Sequence, residues 1–195
     1  MKKVLAISFI FIGAQSNAQE NCNPYSIYDF MYPCRELDEK VEEVFKYMKE
    51  EERVGQMIMP AAGRFGKSVP YVTNLIKEKK AGGVILLVGT KDEFKTTTHS
   101  FDSLTMVGHG VPLMFSADAE LSLINMKIKG TTPVKKAFRI NSDKELIEET
   151  HKICMDLTEM GIHQNFAPVA DLSPNATVSM RSFGSHPDTV IKYCR

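Results

Sequence analysis

No charge sign predominates in this chain: 24 Lys and Arg stand against 24 Asp and Glu over 195 residues. A balance of this kind supplies no field for a polyanion, and so no argument for nucleic acid or an anionic membrane surface as a partner. Long apolar runs are also missing beyond the first residues, so nothing after them is long enough to span a bilayer. Cysteine is sparse. Cys22, Cys34, Cys154 and Cys194 stand at spacings that match no zinc or redox motif, and no metal is expected. A phosphate-cradling loop is absent too, and no cofactor is expected. Gly82-Gly83 precedes an expected strand instead of following one, and Gly63-Arg64-Phe65-Gly66 lacks the spacing of a P-loop before Lys67-Ser68.

What is present begins with a basic pair, Lys2 and Lys3, then an apolar stretch from Val4 to Gly13 and the small-residue triplet Ser16-Asn17-Ala18. Residues 1–18 read as a secretory signal peptide. No cysteine follows directly, where a lipoprotein signal would need one, so a soluble exported protein, periplasmic or extracellular, is expected. Its removal leaves 22 basic against 24 acidic residues. Export permits disulfides. Residues 19–36 read as an extended lead-in, in which a bridge between Cys22 and Cys34 would staple the entry to the fold. Cys154 reads as a buried thiol on a helix, and Cys194 has no evident role.

From Asp38 the spacing predicts a helix, with Val41, Val44, Phe45 and Met48 on one face. Lys49-Glu50-Glu51-Glu52-Arg53 reads as a solvated helical turn and Gln56 to Met59 as a short strand closed by Pro60. Ser68 caps a second helix that Gly82 ends, and Gly83 to Val88 is a β-branched strand. Thr90-Lys91-Asp92-Glu93 has capping-box form before a third helix. Leu113 to Ala117 is a third strand, closed by Asp118 and Glu120. The Lys-rich stretch from Asn125 to Arg139 has no period and reads as a long loop, which in a compact domain is often functional. Ser142 and Glu145 open a fourth helix that stops at Gly161, and Pro187-Asp188 opens a last one.

A fourth strand lies in Asn165-Phe166-Ala167-Pro168-Val169-Ala170-Asp171. Phe166, Ala167, Val169 and Ala170 read as buried on both faces, as in a parallel sheet. Helices alternating with strands predict parallel βα units. Two architectures fit: a small doubly wound sheet, or the opening half of a (β/α)₈ TIM-like barrel. A whole barrel takes roughly 250 residues, so a barrel here would be incomplete.

In parallel α/β folds ligands bind beyond the carboxyl ends of the strands. Asp118 and Asp171 close two strands there, and Arg181 follows on the next loop. Carboxylates accept hydrogen bonds from sugar hydroxyls, and a guanidinium fork holds a hydroxyl pair or an acyl oxygen. The same residues also fit a plainer arrangement, in which Asp171 caps a turn and pairs with Arg181 on the surface.

Five segments in order resemble the N-terminal domain of glycoside hydrolase family 3, and its bacterial β-N-acetylhexosaminidase branch in particular. They are Val54-Gly55-Gln56-Met57, Ala81 to Leu86, Val111 to Glu120, Asn165 to Asp171, and Arg181-Ser182-Phe183-Gly184. The resemblance runs from about residue 37 to residue 195. It implies a TIM-like barrel and retaining hydrolysis of terminal β-N-acetylglucosamine, or of β-glucosides in the sister branch, with a carbohydrate as the partner. By the same resemblance Asp118 and Arg181 contact sugar in the −1 subsite, and Asp171 supports the rim. Retention calls for a carboxylate nucleophile and a separate acid/base group, which this branch takes from a His–Asp pair on a mobile loop.

Departures from the family pattern fall after Asp118. Leu121-Ser122 stands where Gly-Gly or Trp-Gly is usual, and Met126 replaces an arginine, with Lys127 beside it. Lys127 supplies the charge without the bidentate fork. The family's Lys-His-Phe-Pro-Gly-His-Gly segment and its nucleophile aspartate come later in the barrel, so no catalytic residue is expected within this chain. Phe101-Asp102-Ser103-Leu104-Thr105-Met106 imitates the nucleophile motif but falls in a helix pattern. His99, His151, His109 and His186 are read as outside the site, and His163 as a packing residue. A non-catalytic carbohydrate-binding or scaffold protein, and an unrelated doubly wound α/β protein, are the alternatives.

Overall fold

The computed structural model describes residues 34–107, 111–173 and 178–195. The signal-like segment, Cys22 and His109 lie outside them. In chain order the elements are α1 (Arg35–Tyr47), α2 (Glu50–Gly55), β1 (Ala61–Ala62), α3 (Val69–Lys77), β2 (Gly83–Leu86), β3 (Gly89–Thr90) and α4 (Lys91–Val107). There follow β4 (Met114–Ala117), α5 (Ile124–Lys127), β5 (Ile128–Lys129), a 3₁₀ turn (Ala137–Arg139), α6 (Asp143–Glu159), β6 (Gln164–Asn165) and α7 (Pro187–Tyr193). No helix among the described residues is long and apolar enough to cross a membrane.

The chain forms two compact units. One holds the described part of Met1–Met59 together with Thr73–Gly83 and Phe101–Leu113, and the other holds Pro60–Val72, Val84–Ser100 and Met114–Arg195.

In the first unit α1 starts at Arg35, not Asp38, directly after Cys34, which is buried and disulfide-bonded. Its apolar row does not face inward as the period predicts: Val41, Val44 and Phe45 are 51%, 39% and 47% exposed. The expected strand at Gln56–Met59 is a helical turn. The N–H groups of Gln56, Met57 and Ile58 donate to the carbonyls of Glu52, Val54 and Gly55, so the ladder of α2 runs on past its last residue. Gln and Met are good helix formers, and they follow an acidic first turn that suits a helix N-terminus. The left-handed residue after α3 is Lys79, with φ 56°, and not a glycine. Gly82 has a different task. Its N–H donates to the Ile58 carbonyl at 3.0 Å, and a Cβ there would stand 2.2 Å from the carbonyl oxygen of Gln56. Only hydrogen fits between these two backbones.

The second unit contains the main sheet, whose strand order is β1-β2-β4-β6. β1 pairs parallel with β2 (Ala61 opposite Ile85), and β4 pairs parallel with β6 (Ser116 opposite Gln164). Sheet order follows chain order, so each strand is added on the same side and the winding never reverses. A doubly wound sheet requires a reversal; the opening half of a (β/α)₈ barrel does not. The fold is therefore of the barrel type. A separate parallel pair joins β3 to β5, with Gly89 opposite Ile128. Phe115, Ser116 and Ala117 of β4 are all buried, as are Val84 and Leu86 of β2.

Three expectations in this unit are corrected. The strand read at Phe166–Ala170 lies earlier, at Gln164–Asn165. β4 ends at Ala117, whose carbonyl takes the Phe166 N–H at 2.9 Å, and Pro168 has no N–H to donate. Phe166, Pro168 and Ala170 are exposed. The stretch Asn125 to Arg139 is not one open loop but α5, β5 and the 3₁₀ turn. The Asn125 side chain ties it, donating to the Thr132 carbonyl at 2.8 Å and accepting from the Val134 N–H at 3.0 Å. Side-chain bonds of this sort leave no periodic signature. Cys154 is exposed with a free thiol, because α6 turns Ile153, Asp156 and Leu157 inward instead. Both capping boxes do form their first bond. Glu93 and Thr90 close theirs fully at 3.1 and 2.7 Å, whereas the Glu145 carboxylate returns to the Asn141 N–H and not to Ser142.

Inside this unit Asp156 is a buried carboxylate on α6. It accepts from Lys91 Nζ at 2.7 Å and from the Thr132 N–H at 2.6 Å, which ties α6 to the start of α4 and to the turn after β5. Burial pushes its pKa up, but the Lys91 ammonium and the Thr132 donors outweigh this and hold it below the ordinary carboxylate value. A depressed folded pKa contributes stability that is present above the unfolded value, about 3.9, and is lost as pH falls through the folded one. Asp156→Asn should therefore lower stability near neutral pH and flatten the acid limb of a melting-temperature-against-pH curve. In the first unit Gly82→Ala should destabilise by roughly 1–3 kcal/mol, the usual range for overpacking, read as a lower urea midpoint.

Candidate functional site

Two ion pairs grow from one short segment at the carboxyl end of β4. Asp118, the first residue past the strand, pairs through Oδ2 with Lys127 Nζ at the end of α5, and both side chains are half-buried. Glu120, two residues on, is 2% exposed and accepts through Oε1 from Arg181 Nε at 2.7 Å. Between them Ala119 is fully buried, and Asn165 of β6 grips it twice. The Asn165 Oδ1 accepts the Ala119 N–H at 2.9 Å, and its Nδ2 donates to the Ala119 carbonyl at 3.1 Å. One amide thus satisfies both polar groups of a buried peptide position. It also fixes the directions in which Asp118 and Glu120 leave the chain.

Arg181 reaches the site through a second set of tethers. The Ser182 hydroxyl, fully buried, donates to the Asp171 carbonyl and accepts the Gly184 N–H at 3.1 Å. The Ser122 hydroxyl donates to the Met180 carbonyl and accepts the Ala137 N–H at 3.0 Å. The loop carrying Arg181 is therefore held from both sides by buried serines.

Asp118, Lys127 and Arg181 thus gather on or against the segment that follows β4. Asp171 does not join them by its side chain. Its carboxylate is exposed and its main chain is the bonded part, so Arg181 pairs with Glu120 and not with Asp171. Sequence reading did not assign roles to Glu120, Asn165, Ser122 or Ser182. Glu120 carried one usable signal, since a Glu among apolar neighbours is seldom buried without a partner. Arg181 lies 61 positions away, and no local spacing could have named it.

His163, just before β6, is exposed and not packed in the core; its Nδ1 accepts the Phe115 N–H at 3.2 Å and its ring stands 5.7 Å from that of Phe115. His99 and His151 sit exposed on α4 and α6, and His186 is exposed before α7. Asp102 and Ser103 lie within α4 and do not end a strand. Among the described residues no group of three His, Cys, Asp or Glu could hold a metal ion.

Each ion pair leaves some hydrogen-bonding capacity unused. Asp118 keeps Oδ1 for an incoming donor, the Lys127 ammonium has three donors with one in use, and the terminal nitrogens of Arg181 have no partner among the described residues. Such a rim suits an uncharged ligand with several hydroxyl or carbonyl groups.

Comparison with known proteins agrees with the fold. The family model described as "Glycosyl hydrolase family 3 N terminal domain" matches residues 50–195. A search of curated proteins found no match. Among solved structures, a glycoside hydrolase family 3 β-N-acetylglucosaminidase from Paenibacillus sp. str. FPU-7 superposes with a TM-score of 0.65 at 23% identity, covering 75% of this chain and 30% of that one. A β-glucoside phosphorylase bound to 2FGlc superposes with a TM-score of 0.66 at 16% identity, covering 83% of this chain and 29% of that one. The chain spans under a third of either protein. At these identities the two superpositions carry the fold alone, while the family model covers most of the chain. The chain belongs to glycosyl hydrolase family 3, within its N-terminal domain.

Proposed function

We propose that this chain supplies part of the sugar-binding rim of an exported retaining glycosidase acting on terminal β-N-acetylglucosamine. The reading rests on one observation, the paired charges Asp118–Lys127 and Glu120–Arg181 rooted two residues apart at the carboxyl end of β4. In this reading Asp118 accepts from a sugar hydroxyl through its unused oxygen. Lys127 and Arg181 donate to neighbouring oxygens, and Asp171 supports the rim through its main chain. Lys127 takes over the charge of a family arginine whose place Met126 holds. Its single ammonium gives up the planar fork, so one contact at that position is weaker and less directional.

Catalysis is assigned to residues outside this chain. Retention needs a nucleophilic carboxylate and a proton donor. Asp118 and Glu120 are each engaged with a cation, and Asp171 stands exposed with no partner for its carboxylate among the described residues. The disulfide at Cys34 supports export, since such bonds persist in oxidising compartments. β-Glucosides are the alternative substrate, and a binding function without hydrolysis is the alternative role.

Calorimetric or NMR titration with N-acetylglucosamine tests the binding reading. Asp118→Ala should weaken binding by about tenfold or more, the loss of a hydrogen bond to a charged group, and an unchanged affinity would remove Asp118 from the site. Lys127→Met should weaken binding and also lower the melting temperature, because it leaves the half-buried Asp118 carboxylate unpaired. Release of 4-nitrophenol from its β-N-acetylglucosaminide by the chain alone would contradict the assignment of catalysis elsewhere.

A further inference from the structure

We infer that Glu120 is a positioning residue: it holds the Arg181 guanidinium by its inner edge so that the two terminal nitrogens face a ligand. The sugar-binding half of this inference rests on the proposed function; the orientation of Arg181 stands without it.

Three observations carry it. Glu120 is 2% exposed, whereas the Arg181 side chain is 33% exposed, so the pair runs from a buried end to an open one. The contact is made by Nε at 2.7 Å, which leaves the terminal nitrogens without partners among the described residues. Arg181 does not close a fork on the carboxylate either, because Glu120 Oε2 is buried with no hydrogen-bond partner among the described residues. A purely structural ion pair gains most by going bidentate, which would satisfy that oxygen too. Here the second oxygen is left unsatisfied while two guanidinium nitrogens remain free at the open end. That division favours a donor pair held for something else.

The backbone supports the same direction. Ala119, just before Glu120, is clamped at both polar groups by Asn165, and Arg181 lies between Met180, bonded to Ser122, and Ser182, bonded to Asp171. Both ends of the Glu120–Arg181 contact are therefore fixed, and Nε is the nitrogen within reach.

NMR of the Arg181 Nε–H group tests the orientation directly. In the wild type this proton should exchange slowly with water, with hindered rotation about the Nε–Cζ bond, and Glu120→Gln should speed both by tenfold or more. Glu120→Asp, whose carboxylate is one methylene shorter, should restore little. An Nε–H signal that does not change in Glu120→Gln overturns the inference. Titration with N-acetylglucosamine supplies the second reading through Glu120→Gln, Arg181→Ala and the double variant. If Glu120 acts through Arg181, Glu120→Gln weakens binding about tenfold and the double variant binds no worse than Arg181→Ala alone. Additive losses would give Glu120 an independent role and overturn the inference. Should the wild type bind no N-acetylglucosamine while the Nε–H signal responds as expected, the sugar reading fails and the positioning of Arg181 stands.

Discussion

The Asn165 side chain holding both polar groups of Ala119 is the contact on which the site depends. A peptide unit just beyond the end of a strand has lost its ladder partner, and when buried it must find another. Here the partner is one primary amide from the adjacent parallel strand, matched donor to acceptor and acceptor to donor. That match holds only in the register that sets Ala117 opposite Asn165. A slip by one residue would turn the amide to the other face of the sheet. Strand pairing in the core and the orientation of two charged side chains at the rim are therefore one constraint.

From that anchor the charges sort by depth. Glu120 goes into the core and draws Arg181 after it, while Asp118 stays half-buried and pairs with Lys127. A buried carboxylate carries a desolvation cost that only a close cation offsets. Glu120 therefore specifies where the Arg181 loop must lie, much as a polar residue in a coiled-coil core specifies register. The Ser122 and Ser182 hydroxyls do the same at lower cost, each serving one donor and one acceptor of neighbouring loops. The loops around the rim also send apolar side chains inward, Leu121 and Phe183 among them, but those contacts are not directional. Their shape is set by polar atoms that are satisfied in one arrangement.

This division explains what could be read in the sequence and what could not. Alternating helices and strands, the Thr90–Glu93 box and the Pro187 start of α7 depend on short-range rules, and all are present. So is Asp118 just after a strand, because a strand end is a local event. The failures share a different cause. Gln56–Met59 is apolar enough for a strand, but its N–H groups find carbonyls within α2 before any neighbouring strand can offer them. Phe166–Ala170 is apolar too, yet β4 has no residues left to pair with it. In both places the outcome depends on which hydrogen-bond partner is nearest in space, and a hydropathy pattern carries no information about that. The pairing of Arg181 with Glu120 instead of Asp171 belongs to the same class. Asp171 is ten residues from Arg181 and Glu120 is 61, and burial decides in favour of the distant one.

The same reasoning bears on Lys127, which stands one residue past the place where the family pattern has an arginine. A guanidinium at position 126 would offer a fork, but in this chain Met126 is exposed and Lys127, one residue on, points to Asp118. On a helix one residue corresponds to about 100° of rotation, so the cation has moved to a different side of α5 as well as changed its chemistry. The half-buried Asp118 needs a cation nearby but not a planar one, and an ammonium on a flexible stem meets that need from the new position. What is lost is directionality toward a third group. Arg181, gripped by one nitrogen at its buried end, remains as the planar donor of the rim. In the proposed sugar-binding reading, discrimination between neighbouring oxygens of a ligand falls on Arg181, and through it on the buried Glu120.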